Sequence, residues 1–225
     1  AGMRASAAAS RKLSLVQSMP LHLYNTLTRS QEEFVPIDPA GRQVLFYSCG
    51  PTVYDYSHVG NFRAFLNADV LRRTLELLGY DVRHVMNITD VGHMTDDANP
   101  DGGGEDKMEV ASRRLLEAKK SGGLPEGVDI DPGDPWAIAN FYADAFIEDA
   151  RRLGMKVVSD ADTEPQLLPR PTQYIDQMIQ LIERLIEEDH AYVAADGVVY
   201  FSVDSFPDYG QLSGNTLDAL RSGEG

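Results

Sequence analysis

The chain has 225 residues, enough for one large domain or two small ones, and its 43% hydrophobic content is that of an ordinary globular protein. Its 20 basic and 35 acidic residues leave a formal net charge of −15, which excludes a general nucleic-acid binder, because backbone affinity comes from Lys and Arg. The single cysteine excludes an internal disulfide framework, and no apolar run has the length that spans a bilayer, so no membrane association is expected.

Ala1 to Ser18 is rich in Ala and Ser, carries Arg4, Arg11 and Lys12, and lacks the continuous apolar stretch of a signal peptide. Residues 1–20 are read as a flexible extension or tag, with an organellar targeting remnant as the alternative, and Met19 as the start of the folded part. Val44–Cys49 is short, β-branched and aromatic, and Gly50-Pro51 breaks it, which predicts a strand. Asn61–Leu78 repeats Phe62, Phe65, Leu66, Val70, Leu71, Leu75 and Leu78 at helical spacing before Gly79. Asp81–Ile88 reads as a second strand through Val82, Val85, Met86 and Ile88. Strand, helix and strand in this order predict a parallel βαβ unit, the core of a doubly wound α/β sheet.

An Asp/Gly-rich loop, a helix over Lys107–Lys120, a second loop and a helix over Trp136–Leu153 follow. Met155–Ser159 is expected to be a short strand. Thr172–Glu188 gives the clearest helical pattern, and its stripe of Tyr174, Met178, Leu181, Ile182, Leu185 and Ile186 is expected to be core packing. Ala191–Ala194 and Val198–Val203 flank Asp196-Gly197, which predicts a hairpin with a two-residue turn. Asn215-Thr-Leu-Asp looks like the opening of a further element, so the C-terminus is read as a cut.

In an open parallel sheet the ligand site lies outside the carboxyl ends of the strands, and helix N-termini there suit phosphate. Cys49 ends the first strand, and His58-Val59-Gly60-Asn61 opens the following helix. An imidazole at that point can stabilise charge on a phosphate, while Gly60 leaves room for a base or ribose; the structural alternative for His58 is a helix cap. Cys49 reads either as a small strand-end hydrophobe or as a soft metal ligand, with Asp90, His93, Asp96 and Asp97 as further donors in a loop that is otherwise simply solvated.

Asn25-Thr-Leu-Thr-Arg, Glu33-Phe, Cys49-Gly-Pro-Thr-Val-Tyr-Asp-Tyr-Ser-His-Val-Gly-Asn, Asn87-Ile-Thr-Asp, Pro171-Thr, His190-Ala-Tyr-Val and Tyr209-Gly-Gln-Leu-Ser, in that order, resemble the N-terminal part of cysteinyl-tRNA synthetases. The resemblance implies a class I synthetase with a Rossmann-like α/β catalytic domain. It implies that residues 21–165 are the first half of that domain and that residues 166–225 begin an inserted α+β connecting segment. The implied activity is ATP-dependent formation of cysteinyl-adenylate and transfer of cysteine to tRNA(Cys), by a cytoplasmic monomer. It further implies ATP, with Mg2+, on Thr52, His58, Gly60 and Asn61, with His58 and Asn61 catalytic. Gly50 and Thr89 would contact the cysteine substrate, and Cys49 would be one of four zinc ligands, zinc preferring sulfur over oxygen.

Asn61 stands where the family's signature ends in histidine, and Val91-Gly-His-Met-Thr-Asp-Asp replaces an Ile-Asp-Asp-Lys pattern. No Lys-Met-Ser-Lys-Ser segment and no second cysteine occur, so these 225 residues alone are expected to be inactive. The alternatives are the related cysteine ligase of mycothiol synthesis and a non-catalytic module that binds a nucleotide or a partner protein.

Overall fold

The computed structural model describes residues 19–91, 107–123 and 130–214. Its strands are β1 (His22–Asn25), β2 (Ser30–Glu33), β3 (Gln43–Ser48), β4 (Asp81–Met86), β5 (Ala191–Val193) and β6 (Val199–Phe201). Its helices are α1 (Val59–Leu77), α2 (Lys107–Ser121), α3 (Pro135–Arg152), α4 (Lys156–Asp160) and α5 (Ile175–Glu187). They fall into two compact units, one over Asp38–Gln173 and one from the described residues on either side of it. No described helix is long and apolar enough to cross a membrane.

In the unit over Asp38–Gln173, β3 and β4 pair in parallel, Val44 opposite Val82 and Ser48 opposite Met86, with α1 between them in sequence. This is the expected α/β arrangement, a Rossmann-like parallel sheet. The core lies where α1, α3 and α4 meet β4. Phe146 of α3 stacks on Phe62 at 5.7 Å between ring centroids and meets Phe65 edge-on at 5.5 Å. Ile138, Tyr142, Ala143 and Ala150 follow Phe146 along the same face of α3. That helix starts one residue before the expected Trp136, with Pro135 in its first turn and the Asp134 carboxylate accepting from the Trp136 N–H at 2.9 Å.

Met155–Ser159 is not a strand. Gly154 ends α3 in the left-handed region at φ 72°, the chain turns back, and α4 begins at Lys156. The Asp69 carboxylate of α1 accepts from the Lys156 N–H at 2.8 Å, so a side chain more than 80 residues upstream satisfies the start of this helix. Val157 and Val158 are both buried, which a strand with alternating faces does not allow over one covering layer. Charged groups tie the same two helices together. Arg72 pairs with Glu76 at 2.9 Å and with Asp160, and Lys156 pairs with Glu76.

In the other unit β1 and β2 form an antiparallel hairpin that the sequence patterns had not suggested. Ser-Gln-Glu-Glu is poor strand material; the loop makes the hairpin. Asn25 Oδ1 accepts from the Leu27 N–H at 3.0 Å, its Nδ2 donates to Glu32 at 2.9 Å, and Arg29 adopts φ 55°. The expected β5–β6 hairpin is present, with a three-residue loop in place of a two-residue turn. The Ala194 N–H donates to the Val198 carbonyl at 2.8 Å, the Gly197 N–H to Ala194 at 3.0 Å, and Gly197 takes φ 84°.

Helix α5 begins at Ile175 rather than at Thr172, because Pro171–Gln173 forms a separate 3₁₀ turn. Its stripe is not core: no residue of α5 is buried. Asn215 and its successors, most of residues 1–20, and residues 92–106 and 124–129, where loops are expected from the sequence, lie outside the described residues.

Candidate active site

Because β3 and β4 run parallel, their carboxyl ends open on one side, and the chain beyond each is stitched to the other. Thr52 and Thr89 form a parallel bridge. The Val53 N–H donates to the Thr89 carbonyl at 3.0 Å and the Thr89 N–H to the Pro51 carbonyl at 2.9 Å. Gly50 lies against the backbone of Asn87, where a Cβ would come within 1.9 Å of the carbonyl oxygen, so no other residue fits without moving the strand ends. Asn87 itself bridges three groups. Its Oδ1 accepts from the Tyr47 hydroxyl at 2.9 Å and the Gly50 N–H at 3.2 Å, and its Nδ2 donates to Thr89 Oγ1 at 2.8 Å.

His58 is the N-cap of α1. Its Nδ1 accepts from the Gly60 N–H at 2.9 Å, and its own N–H donates to Asn61 Oδ1 at 3.0 Å. The imidazole therefore carries its proton on Nε2, turned away from the helix. Gly60 serves this cap: a Cβ there would stand 2.6 Å from the His58 ring, so the space read as room for a base or ribose is taken by the imidazole itself. Asn61, the departure from the family signature, completes the capping box as an acceptor.

Gly50, Thr52, His58, Gly60 and Asn61 line one cleft of about 370 Å³, with Tyr54, Asp55 and Tyr56 on the intervening loop. Thr89 adjoins it through its bridge to Thr52. Cys49 is exposed at the end of β3 and is not among the lining residues. A larger, more apolar groove of about 880 Å³ lies between α1 and α3, lined by Phe62, Leu66 and Leu153, and contains none of the predicted site residues.

The described residues do not complete a zinc site. Among the described residues no three His, Cys, Asp or Glu side chains gather closely enough to hold a metal. The Asp90 carboxylate accepts from the N–H and hydroxyl of Thr172, which anchors the 3₁₀ turn; His93, Asp96 and Asp97 lie outside the described residues. Cys49 is the one cysteine side chain that this stretch offers to a soft metal.

Sequence reasoning gave no role to Asn87, although it is the first residue of the Asn-Ile-Thr-Asp segment; a polar amide one residue past a strand end was the available signal. Nor did it find the wall behind the loop. Tyr56 packs edge-on to Tyr142 at 5.2 Å, and Asp55 pairs with Arg114 of α2. Burial, reinforced by the Asp55 charge, pushes the Tyr142 phenol up to about 12, so it remains a neutral aromatic support.

Residues 34–225 match the family described as the tRNA synthetases class I (C) catalytic domain. The chain belongs to this family. It is 44% identical over 199 residues to a cysteine–tRNA ligase of Salinibacter ruber, covering 88% of this chain and 34% of that protein. A cysteine–tRNA ligase of Treponema denticola is 41% identical over 91% of this chain and 36% of its own length. One of Pyrococcus horikoshii is 40% identical over 91% of this chain and 35% of its own length. The chain thus spans about a third of the length of the curated relatives it matches.

Proposed function

We propose that this chain carries the amino-acid-activating part of a cysteine–tRNA ligase, which joins L-cysteine to ATP and passes the cysteinyl group to tRNA(Cys). The observation that supports the reading most is one cleft in which the end of β3 at Gly50, joined through Thr52 to Thr89 beyond β4, meets a helix N-terminus capped by a histidine. In activation a cysteine carboxylate oxygen attacks the α-phosphorus of ATP. The new O–P bond forms as the bond to pyrophosphate breaks, and negative charge rises on the phosphoryl oxygens. Thr52, Gly60 and Asn61 bind the nucleotide, and the partial positive charge of the α1 N-terminus favours its phosphates. His58 Nε2–H donates to the phosphoryl oxygen on which charge grows; its tautomer suits this because Gly60 holds Nδ1 as an acceptor. Gly50 and Thr89 hold the amino acid.

The test is cysteine-dependent exchange of pyrophosphate into ATP by the full-length protein as its gene encodes it. His58→Ala is expected to lower kcat about 10²- to 10³-fold, as loss of one transition-state donor does, with little change in the KM for cysteine. His58→Asn separates the two roles of the residue, because asparagine still caps a helix. It is expected to keep the melting temperature and lose exchange. Near-normal exchange in His58→Asn reduces His58 to a cap.

A further inference from the structure

The geometry points to Asn87 as the positioning residue of the amino-acid end of the cleft, setting both the place of the Gly50 backbone and the direction of the Thr89 hydroxyl proton. The three hydrogen bonds leave its amide one orientation. The Gly50 N–H can only donate, so the oxygen of Asn87 faces Gly50 and Tyr47, and its NH₂ faces Thr89. Thr89 Oγ1, at 2.8 Å, therefore accepts from Asn87 and keeps its own proton for another acceptor. Gly50 cannot retreat, since its Cα already lies against the Asn87 carbonyl. One side chain thus fixes a backbone group on one strand end and the polarity of a hydroxyl on the other. Asn87 lies outside the cleft lining and acts through these two neighbours.

This inference rests on the reading of Gly50 and Thr89 as contacts of the cysteine substrate, and its test separates the two. Asn87→Asp keeps an acceptor for Gly50 and Tyr47 but cannot donate to Thr89, so the hydroxyl proton turns to the new carboxylate and is lost to the substrate. In pyrophosphate exchange by the full-length protein, Asn87→Asp is expected to raise the KM for cysteine about tenfold, the effect of one lost hydrogen bond. The KM for ATP and the melting temperature should remain close to those of the parent.

Thr89→Val should raise the cysteine KM by itself and abolish most of the further effect of Asn87→Asp, because residues acting as one unit are not additive. Absence of cysteine-dependent exchange in the parent protein, or an unchanged cysteine KM in Thr89→Val, overturns the substrate reading and this inference with it. A raised KM in Thr89→Val but not in Asn87→Asp, or full additivity of the two, overturns the inference alone. If Asn87→Asp does not fold, Tyr47→Phe decides the matter at an exposed position, removing one of the bonds that orient the amide. A cysteine KM raised about two- to threefold supports the inference, and an unchanged one overturns it.

Discussion

Helices α3 and α5 both carry an apolar stripe at helical spacing, yet α3 buries Ile138, Tyr142 and Phe146 whereas α5 buries none of its residues. Phe146 is 2% exposed; Met178 and Leu181 of α5 are 42% and 59% exposed. The amphipathic pattern of α5 is the sharper of the two in sequence, so amphipathicity ranks the helices in the wrong order. A stripe states which face will gain from cover. The gain, about 1.5–3 kcal/mol for a large apolar side chain, arrives only where other elements supply matching surface. For α3 that surface comes from α1, α4 and β4. Besides α5, the strands among the described residues of its own unit form two short hairpins.

The sharpest way to break this contrast is to cut into α3. Phe146→Ala removes a ring held between Phe62 and Phe65 and is expected to lower unfolding stability by about 3–5 kcal/mol, read from the urea midpoint by circular dichroism. A loss under about 1 kcal/mol would mean that the aromatic cluster is not the core.

Next in size is a pH effect confined to the α3 side. His84 is 1% exposed, and burial, with the Arg72 guanidinium acting in the same direction, pushes its imidazole down from 6.5 to about 4. The unfolded chain takes up this proton below pH 6.5 while the folded chain resists until about 4, so unfolded protein binds more protons in that window. The contribution is complete above pH 6.5 and lost as pH falls toward 4, on the order of 3 kcal/mol over the whole interval. His84→Gln should flatten the stability profile there; a profile as steep as the parent's would remove His84 as its source.

In the unit that contains α5, backbone geometry is expected to matter more than burial. Gly197→Ala places a Cβ at φ 84° and should lower stability by about 1–2 kcal/mol, measured by thermal unfolding. Leu181→Ala, at the other end of the scale, should cost less than about 0.5 kcal/mol. A loss above about 2 kcal/mol in Leu181→Ala would show that the α5 stripe is covered in solution.

Periods and stops were legible without coordinates. The parallel β3–β4 pair, the helix between them, and the His58 position at its start follow from a β-branched run, a 3.6-residue repeat and the breaks at Gly50-Pro51 and Gly79. These signals are local: each is a property of neighbours along the chain. Gly60 shows the limit, because a glycine in sequence marks an open space without naming its occupant. Which group fills a space of that size depends on side-chain direction, and the nearest one was the imidazole two residues away.

The sequence by itself determined that the chain is α/β, where its first strand ends and its first helix begins, and which polar residues stand at that junction. It did so because backbone conformation responds to residue type over a few positions. The tertiary structure alone decided that Met155–Ser159 coils rather than extends, since the Asp69 carboxylate meets the Lys156 amide there. It decided that Asp90 is taken by Thr172, that Asn87 joins Gly50 to Thr89, and that the α5 stripe stays uncovered among the described residues. Most of these are meetings through space between groups 30 to 90 positions apart, and the last is the want of one. No local propensity encodes which distant group will arrive.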